Sequence, residues 1–114
     1  MGLEGGLKMK IAIIGSTQYK KMFLDHKLLL EKQYNEVFIP AFDDHVELDE
    51  LGVCEYNRDI IEKADEIHII WDQRSLGTVF DFGMAFALRK KIKIVYMERK
   101  TFRGVMEKYE KKSC

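Results

Sequence analysis

The chain has 114 residues, 46% of them hydrophobic and 33% charged, and its 19 basic and 19 acidic side chains cancel to a formal net charge of zero. That length carries one core and one domain, and the composition is that of a soluble globular protein and not of a disordered chain. No run of 18 apolar residues exists, which excludes a membrane-spanning helix, and the N-terminus lacks the long apolar region of a signal peptide, so a cytoplasmic location is expected. Cys54 and Cys114 are the only cysteines. Without an export signal they read as free thiols, and no metal-ligand spacing accompanies them.

Charge is unevenly spread. From Asp43 to Glu66 there are ten acidic residues against two basic, and from Arg89 to Lys112 ten basic against three acidic. The basic residues alternate with Ile92, Ile94, Val95, Phe102 and Met106, the pattern of the solvated side of packed elements. With no aromatic-basic platform beside them, nucleic acid is not an expected partner.

In chain order, residues 1–9 carry three glycines in the first six positions and no periodicity, and are expected to be a flexible leader before a single domain spanning 10–114. Lys10 to Ile14 reads as a buried strand, rich in isoleucine, that runs into Gly15-Ser16-Thr17, where Ser16 or Thr17 can cap the next helix. Met22, Phe23, His26, Leu29 and Leu30 mark that amphipathic helix over Gln18 to Lys32, with His26 expected to be packed on its face. Glu36 to Ile39 is a short strand stopped by Pro40. Asp43, Asp44, His45 and Glu47 come next in an acidic loop that lacks a defined metal-ligand spacing. A second helix spans Leu51 to Ala64, through Val53, Tyr56, Ile60, Ile61 and Ala64. Ile67 to Trp71 is the central strand, Gly77 to Arg89 a helix, and Ile92 to Tyr96 a fourth strand. Thr101 to Lys112 closes the chain with Phe102, Met106 and Tyr109 on one stripe. Strand and helix alternating four times predict an α/β, doubly wound, flavodoxin/Rossmann-like parallel sheet of four strands, or five, with helices on both faces.

In such a sheet ligands bind beyond the carboxyl ends of the strands. Two strand ends are expected side by side there, one delivering Gly15, Ser16 and Thr17 and the other Asp72 to Leu76. Their loop N–H groups, Arg74, Ser75 and the N-terminus of the Gly77 helix can hold an anion, and a phosphate suits several converging donors. Asp81 shares a helix face with Met84, Ala85 and Leu88. An acid there is costly to bury unless paired or functional, or else it is stabilised by the helix dipole. Asp59 is either an exposed partner for Lys63, four residues on, or part of the site.

The passages Asn57-Arg58-Asp59 to Asp65 and Gln73-Arg74-Ser75-Leu76-Gly77-Thr78-Val79-Phe80-Asp81-Phe82-Gly83-Met84-Ala85, with Gly15-Ser16 after the first strand, resemble the nucleoside 2-deoxyribosyltransferase family. They are closest in style to its 2-deoxynucleoside 5-monophosphate N-glycosidase branch. The resemblance covers Lys10 to about Met97. It implies that Asp81 is the nucleophile attacking the anomeric carbon of deoxyribose, that Asp59 holds the sugar or assists proton transfer, and that Ser75 and Gly77 contact the 5-phosphate. The family's nucleophile is usually glutamate, one methylene longer than Asp81, and Ile13 and Ile14 stand in the first strand where the family tends to carry a polar aromatic.

The expected activity is therefore cleavage or transfer at the N-glycosidic bond of a deoxynucleoside or its 5-monophosphate, with Asp81 as nucleophile and Asp59 or Asp72 as acid/base partner. No cofactor or metal is implied. The alternative is a nucleotide-binding module of the same fold without turnover, and a third reading is a flavodoxin-like partner domain with no small ligand. A homodimer is expected from the apolar Tyr56, Phe82 and Phe86, which exceed what one small core buries, and from the pairing of subunits that the resemblance implies.

Overall fold

The computed structural model describes residues 8–99 and 102–113. Most of the expected leader therefore lies outside the described residues, as does Cys114. The strands are β1 (Lys10–Gly15), β2 (Glu36–Phe38), β3 (Glu66–Trp71) and β4 (Lys91–Met97). The helices are α1 (Lys20–Lys32), α2 (Glu50–Lys63), α3 (Leu76–Ala87) and α4 (Phe102–Ser113). The four strands pair in parallel in the order β2-β1-β3-β4, a flavodoxin/Rossmann-like arrangement, and no fifth strand occurs among the described residues.

Because strand side chains alternate between faces, each isoleucine-rich strand supplies two cores. Ala12, Ile14, Ile67 and Ile69 meet Ile60, Ile61 and Ala64 at α2 and Ala85 of α3 on one face. Ile11, Ile13 and Ile70 meet Phe23 and Leu30 of α1 on the other. The central strands β1 and β3 are buried on both sides, which is why they read as continuous apolar runs and not as alternating ones.

His68 of β3 faces α1, where its Nδ1 lies 2.8 Å from Nε2 of His26, while its own Nε2 lies 2.8 Å from Glu66 Oε1. Glu66 is held below the usual carboxylate range by His68 and then Lys91, so it accepts and His68 Nε2–H donates. Burial, then His68 and Lys93, pushes the His26 pKa down and favours its neutral form. His26 is thus a packed histidine bonded to the sheet.

Several boundaries shift for local reasons. A short 3₁₀ turn, Thr17–Tyr19, precedes α1, and neither Ser16 at its start nor Tyr19 before α1 makes a side-chain cap. The expected capping by Ser16 is replaced by a bond to the neighbouring strand end. α2 begins one residue early because Asp49 accepts the Gly52 N–H at 2.7 Å and so caps its N-terminus. α4 carries its expected stripe of Phe102, Met106 and Tyr109, but all three side chains are exposed. Among the described residues no helix is long and apolar enough to cross a membrane.

Candidate functional site

The ends of β1 and β3 lie side by side, and the contact between them is made of backbone. Ile70 pairs with Gly15, and its carbonyl accepts the Ser16 N–H at 2.9 Å. A Cβ at Gly15 would stand 1.7 Å from that oxygen, and the residue adopts φ +153°, so only glycine fits. The Ser16 hydroxyl accepts the Asp72 N–H at 3.0 Å, tying the two loops together. Gly15, Ser16 and the β3 turn thus converge as expected, whereas Thr17 enters the 3₁₀ turn with an exposed side chain.

The turn after β3 is locked from within. Asp72 Oδ1 accepts the N–H groups of Arg74 and Ser75 at 2.8 and 2.9 Å, and these two bonds, with help from Ser16, hold its carboxyl below the usual range. Gln73 takes a left-handed φ of 63° and donates its side-chain amide to the Glu98 carbonyl, while the Trp71 indole donates to the Ser75 carbonyl at 3.1 Å. A carboxylate kept ionised at neutral pH is a poor proton donor. The geometry therefore gives Asp72 the job of shaping the loop and does not favour it as acid partner.

Ser75 occupies the N-cap of α3 without making a capping bond, and its hydroxyl instead accepts from Thr78 Oγ1 at 3.0 Å. α3 starts at Leu76, one residue before the expected Gly77, and ends at Ala87, two residues before the expected Arg89. The first N–H groups of α3 are thereby not taken up by Ser75, and Gly77 leaves open space beside them, with no atom within 4 Å of where a Cβ would stand. Arg74 and Gly77 are exposed and Ser75 is half-buried. This is a surface an anion can approach.

Asp81 lies in the second turn of α3, half-buried, on the flank that meets α2. Burial pushes its carboxyl up from the ordinary 3.8 to about 6, and a hydrogen bond with the Asn57 side chain opposes the shift. Asn57 Oδ1 is itself buried without a partner, so the space between α2 and α3 holds an acceptor unsatisfied by protein. Asn57 is the site residue that sequence reasoning passed over. It was legible as a core-side position, three and four residues before Ile60 and Ile61 on the same helix.

Asp59 is not brought to Asp81. It stands two residues beyond Asn57, about 200° around the helix, with a side chain 72% exposed and 3.9 Å from Arg58. Nor does it pair with Lys63, whose ammonium sits 4.4 Å over the Phe38 ring. An apolar cleft of about 330 Å³ lies on the opposite flank of α3, lined by Ile69, Trp71, Val79, Phe82, Ile94 and Met97. Val79 and Asp81 are again about 200° apart, so this cleft and the carboxyl occupy different sides of one helix. In the acidic loop, Asp43 accepts from the Tyr56 hydroxyl and Asp44 from the Val46 N–H, and among the described residues no three His, Cys, Asp or Glu side chains are grouped to hold a metal ion. No protein-family model matches the chain, and no curated protein matches it significantly.

Proposed function

We propose that the protein cleaves the N-glycosidic bond of a 2-deoxynucleoside or its 5-monophosphate, or transfers the sugar to another acceptor, as a nucleoside 2-deoxyribosyltransferase-like enzyme. The observation that carries this reading is Asp81, a carboxyl raised to about 6 by burial between two helices, a few residues from the N-terminus of α3, which Ser75 leaves without a side-chain cap. A structural helix acid has no need of desolvation. A nucleophilic carboxylate does, because poor solvation raises its reactivity and a pKa near 6 still leaves it ionised at neutral pH.

In the proposed reaction an Asp81 oxygen forms a bond to the anomeric carbon as the carbon–nitrogen bond breaks. The leaving base takes the bonding electron pair and is protonated from solvent water. Water, or a second base, then attacks the anomeric carbon and releases Asp81, and the proton lost by the attacking water or acceptor base returns to solvent. Asn57 orients the carboxylate. The Arg74 side chain, the Ser75 hydroxyl and the first N–H groups of α3 beside Gly77 serve the phosphate. Gly15 and Ser16, with the Ser16 N–H bonded to Ile70, and the Arg74 and Ser75 N–H groups, bonded to Asp72, shape the loops around it. The alternative, a binding module without turnover, draws support from Asn57 itself, because the side chain bonded to Asp81 is an amide and not the second carboxylate of two-carboxylate chemistry.

A melting-shift screen against deoxynucleosides and their monophosphates, followed by assay for free base, separates the two readings. Ligand shifts with base release are expected, whereas shifts without release favour the binding module. The monophosphate is expected to bind more tightly than the nucleoside by about 1–3 kcal/mol, the range of charge-assisted hydrogen bonds. Calorimetry on Ser75→Ala should show a loss confined to the phosphorylated ligand, and equal affinities of the parent protein for the two ligands would remove the anion site.

A further inference from the structure

The apolar cleft beside α3 is open on one side. β4 is an edge strand, and its Ile92, Ile94 and Met97 make the floor with Trp71 of β3, while Val79 and Phe82 of α3 make a wall. All the residues that line the cleft come from β3, β4 and α3, so α3 is its only wall among the described residues. Ile94 is 57% exposed, and Val79 and Phe82 are exposed beside it. The two polar side chains of the lining, Trp71 and Thr78, are already bonded to Ser75. Such a surface suits an apolar element of a protein better than a polar small molecule.

α4 carries a matching face. Phe102, Val105, Met106 and Tyr109 recur at three- and four-residue spacing, with Arg103, Glu107, Lys108 and Lys111 on the other side. All four apolar side chains are exposed, and no residue of the helix is buried. A lone helix of 12 residues is marginal in water, so α4 needs tertiary cover for its stripe. Four residues, 98–101, separate Met97 from Phe102, a reach of about 17 Å against the roughly 10 Å between packed layers. α4 is about 18 Å long, and β4 runs about 17 Å from Ile92 to Met97. The steps from β2 to β3 and from β3 to β4 both move toward the β4 edge, with α2 and α3 on one face of the sheet and α1 on the other. A helix that leaves β4 in the same right-handed sense lands next to α3, where the cleft opens.

We infer that the chain has a second arrangement in which α4 docks in this cleft of its own chain, antiparallel to β4, with Phe102 against Met97 and Trp71, Met106 between Ile94 and Val79, and Tyr109 toward Ile92. The docked helix completes the layer begun by α2 and α3 and supplies the wall that the cleft lacks, while its charged side stays in water. α3 is then held on both flanks, by α2 beside Asp81 and by α4 beside Val79 and Phe82. Both apolar faces lie away from Asp81, so the docking is independent of the glycosidase reading.

Hydrogen exchange on the full chain, with acrylamide quenching of Trp71, the only tryptophan, tests the docking. In the parent protein the α4 amides are expected to exchange at least about tenfold slower than in an unstructured peptide of the same sequence, equally at low and high micromolar protein concentration. Met106→Asp and, separately, Ile94→Asp are each expected to remove that protection and to increase the quenching of Trp71. The β1 and β3 amides should stay protected in both, because positions 94 and 106 are exposed when α4 is undocked. Met106→Leu should behave as the parent. Should Ile94→Asp also open β4, Met106→Asp alone decides, since Met106 belongs to neither core. Unprotected α4 amides in the parent overturn the docking, and so does protection or Trp71 quenching that Met106→Asp leaves unchanged. Protection that appears only at the higher concentration, or only with vesicles of anionic lipid, also overturns it, by giving the stripe to a second copy or to a membrane.

Discussion

Asp81→Asn is expected to abolish base release while making the fold more stable at neutral pH. The amide keeps the shape of the side chain but has no oxygen able to attack, so turnover should fall by at least about three orders of magnitude while ligand binding survives. The stability gain comes from linkage. The folded-state pKa of about 6 exceeds the ordinary 3.8, so the folded protein holds the extra proton between these values and must bury a charge above them. The contribution of Asp81 is therefore intact below pH 4 and lost as pH rises through 6. After discounting for partial solvent screening, the amide should gain about 1–2 kcal/mol at pH 7.5 and nothing near pH 3.5. Urea melts of both proteins at the two pH values check this. Asp81→Glu supplies the longer side chain usual in the family that the motif resembles: faster base release would mark the native chain as a binding module with a shortened nucleophile, and slower release a pocket built around aspartate.

Gly15→Ala is expected to cost the protein its fold. The added Cβ would lie 1.7 Å from the Ile70 carbonyl oxygen and 2.6 Å from its carbon, both backbone of a central strand buried on two faces, at a φ that alanine avoids. Neither strand can move aside without breaking the Ser16–Ile70 and Asp72–Ser16 hydrogen bonds that join the two loops. A loss above about 4 kcal/mol is expected, seen as insoluble protein or an absent cooperative melt. Gly77→Ala is the contrasting change. With open space around position 77 in the first turn of α3, it should leave stability unchanged or raise it by up to about 1 kcal/mol.

The fold was legible because its signals are strong and local. Isoleucine-rich runs of strand length separated by helix-period segments leave few topologies, and Gly15 and Pro40 punctuate where the chain must turn. The placement of Asp81 toward α2 obeyed the same periodicity, since it repeats with Ala85 on the inner side of its helix. Asp59 was harder. Its motif position points to a site, but whether a helix acid faces the sheet depends on the rotation of α2, and that rotation is set by Ile60 and Ile61, which turn Asn57 inward and Asp59 out. Asp72 was readable as a loop acid, but its two short backbone bonds arise only once Gln73 takes its left-handed turn, a conformation that glutamine does not advertise. The role of α4 depends on what its stripe meets, and that lies beyond local sequence pattern.

The most direct test of the proposed chemistry is the rate of free-base release from 2-deoxynucleosides and their 5-monophosphates by the parent protein, measured across the pH range around 6. If Asp81 attacks as the carboxylate, kcat/KM should rise with pH through about 6, the value to which burial raises its carboxyl, and then level off. No base released from any of these substrates, or a rate that does not change through that range, would contradict Asp81 as the nucleophile.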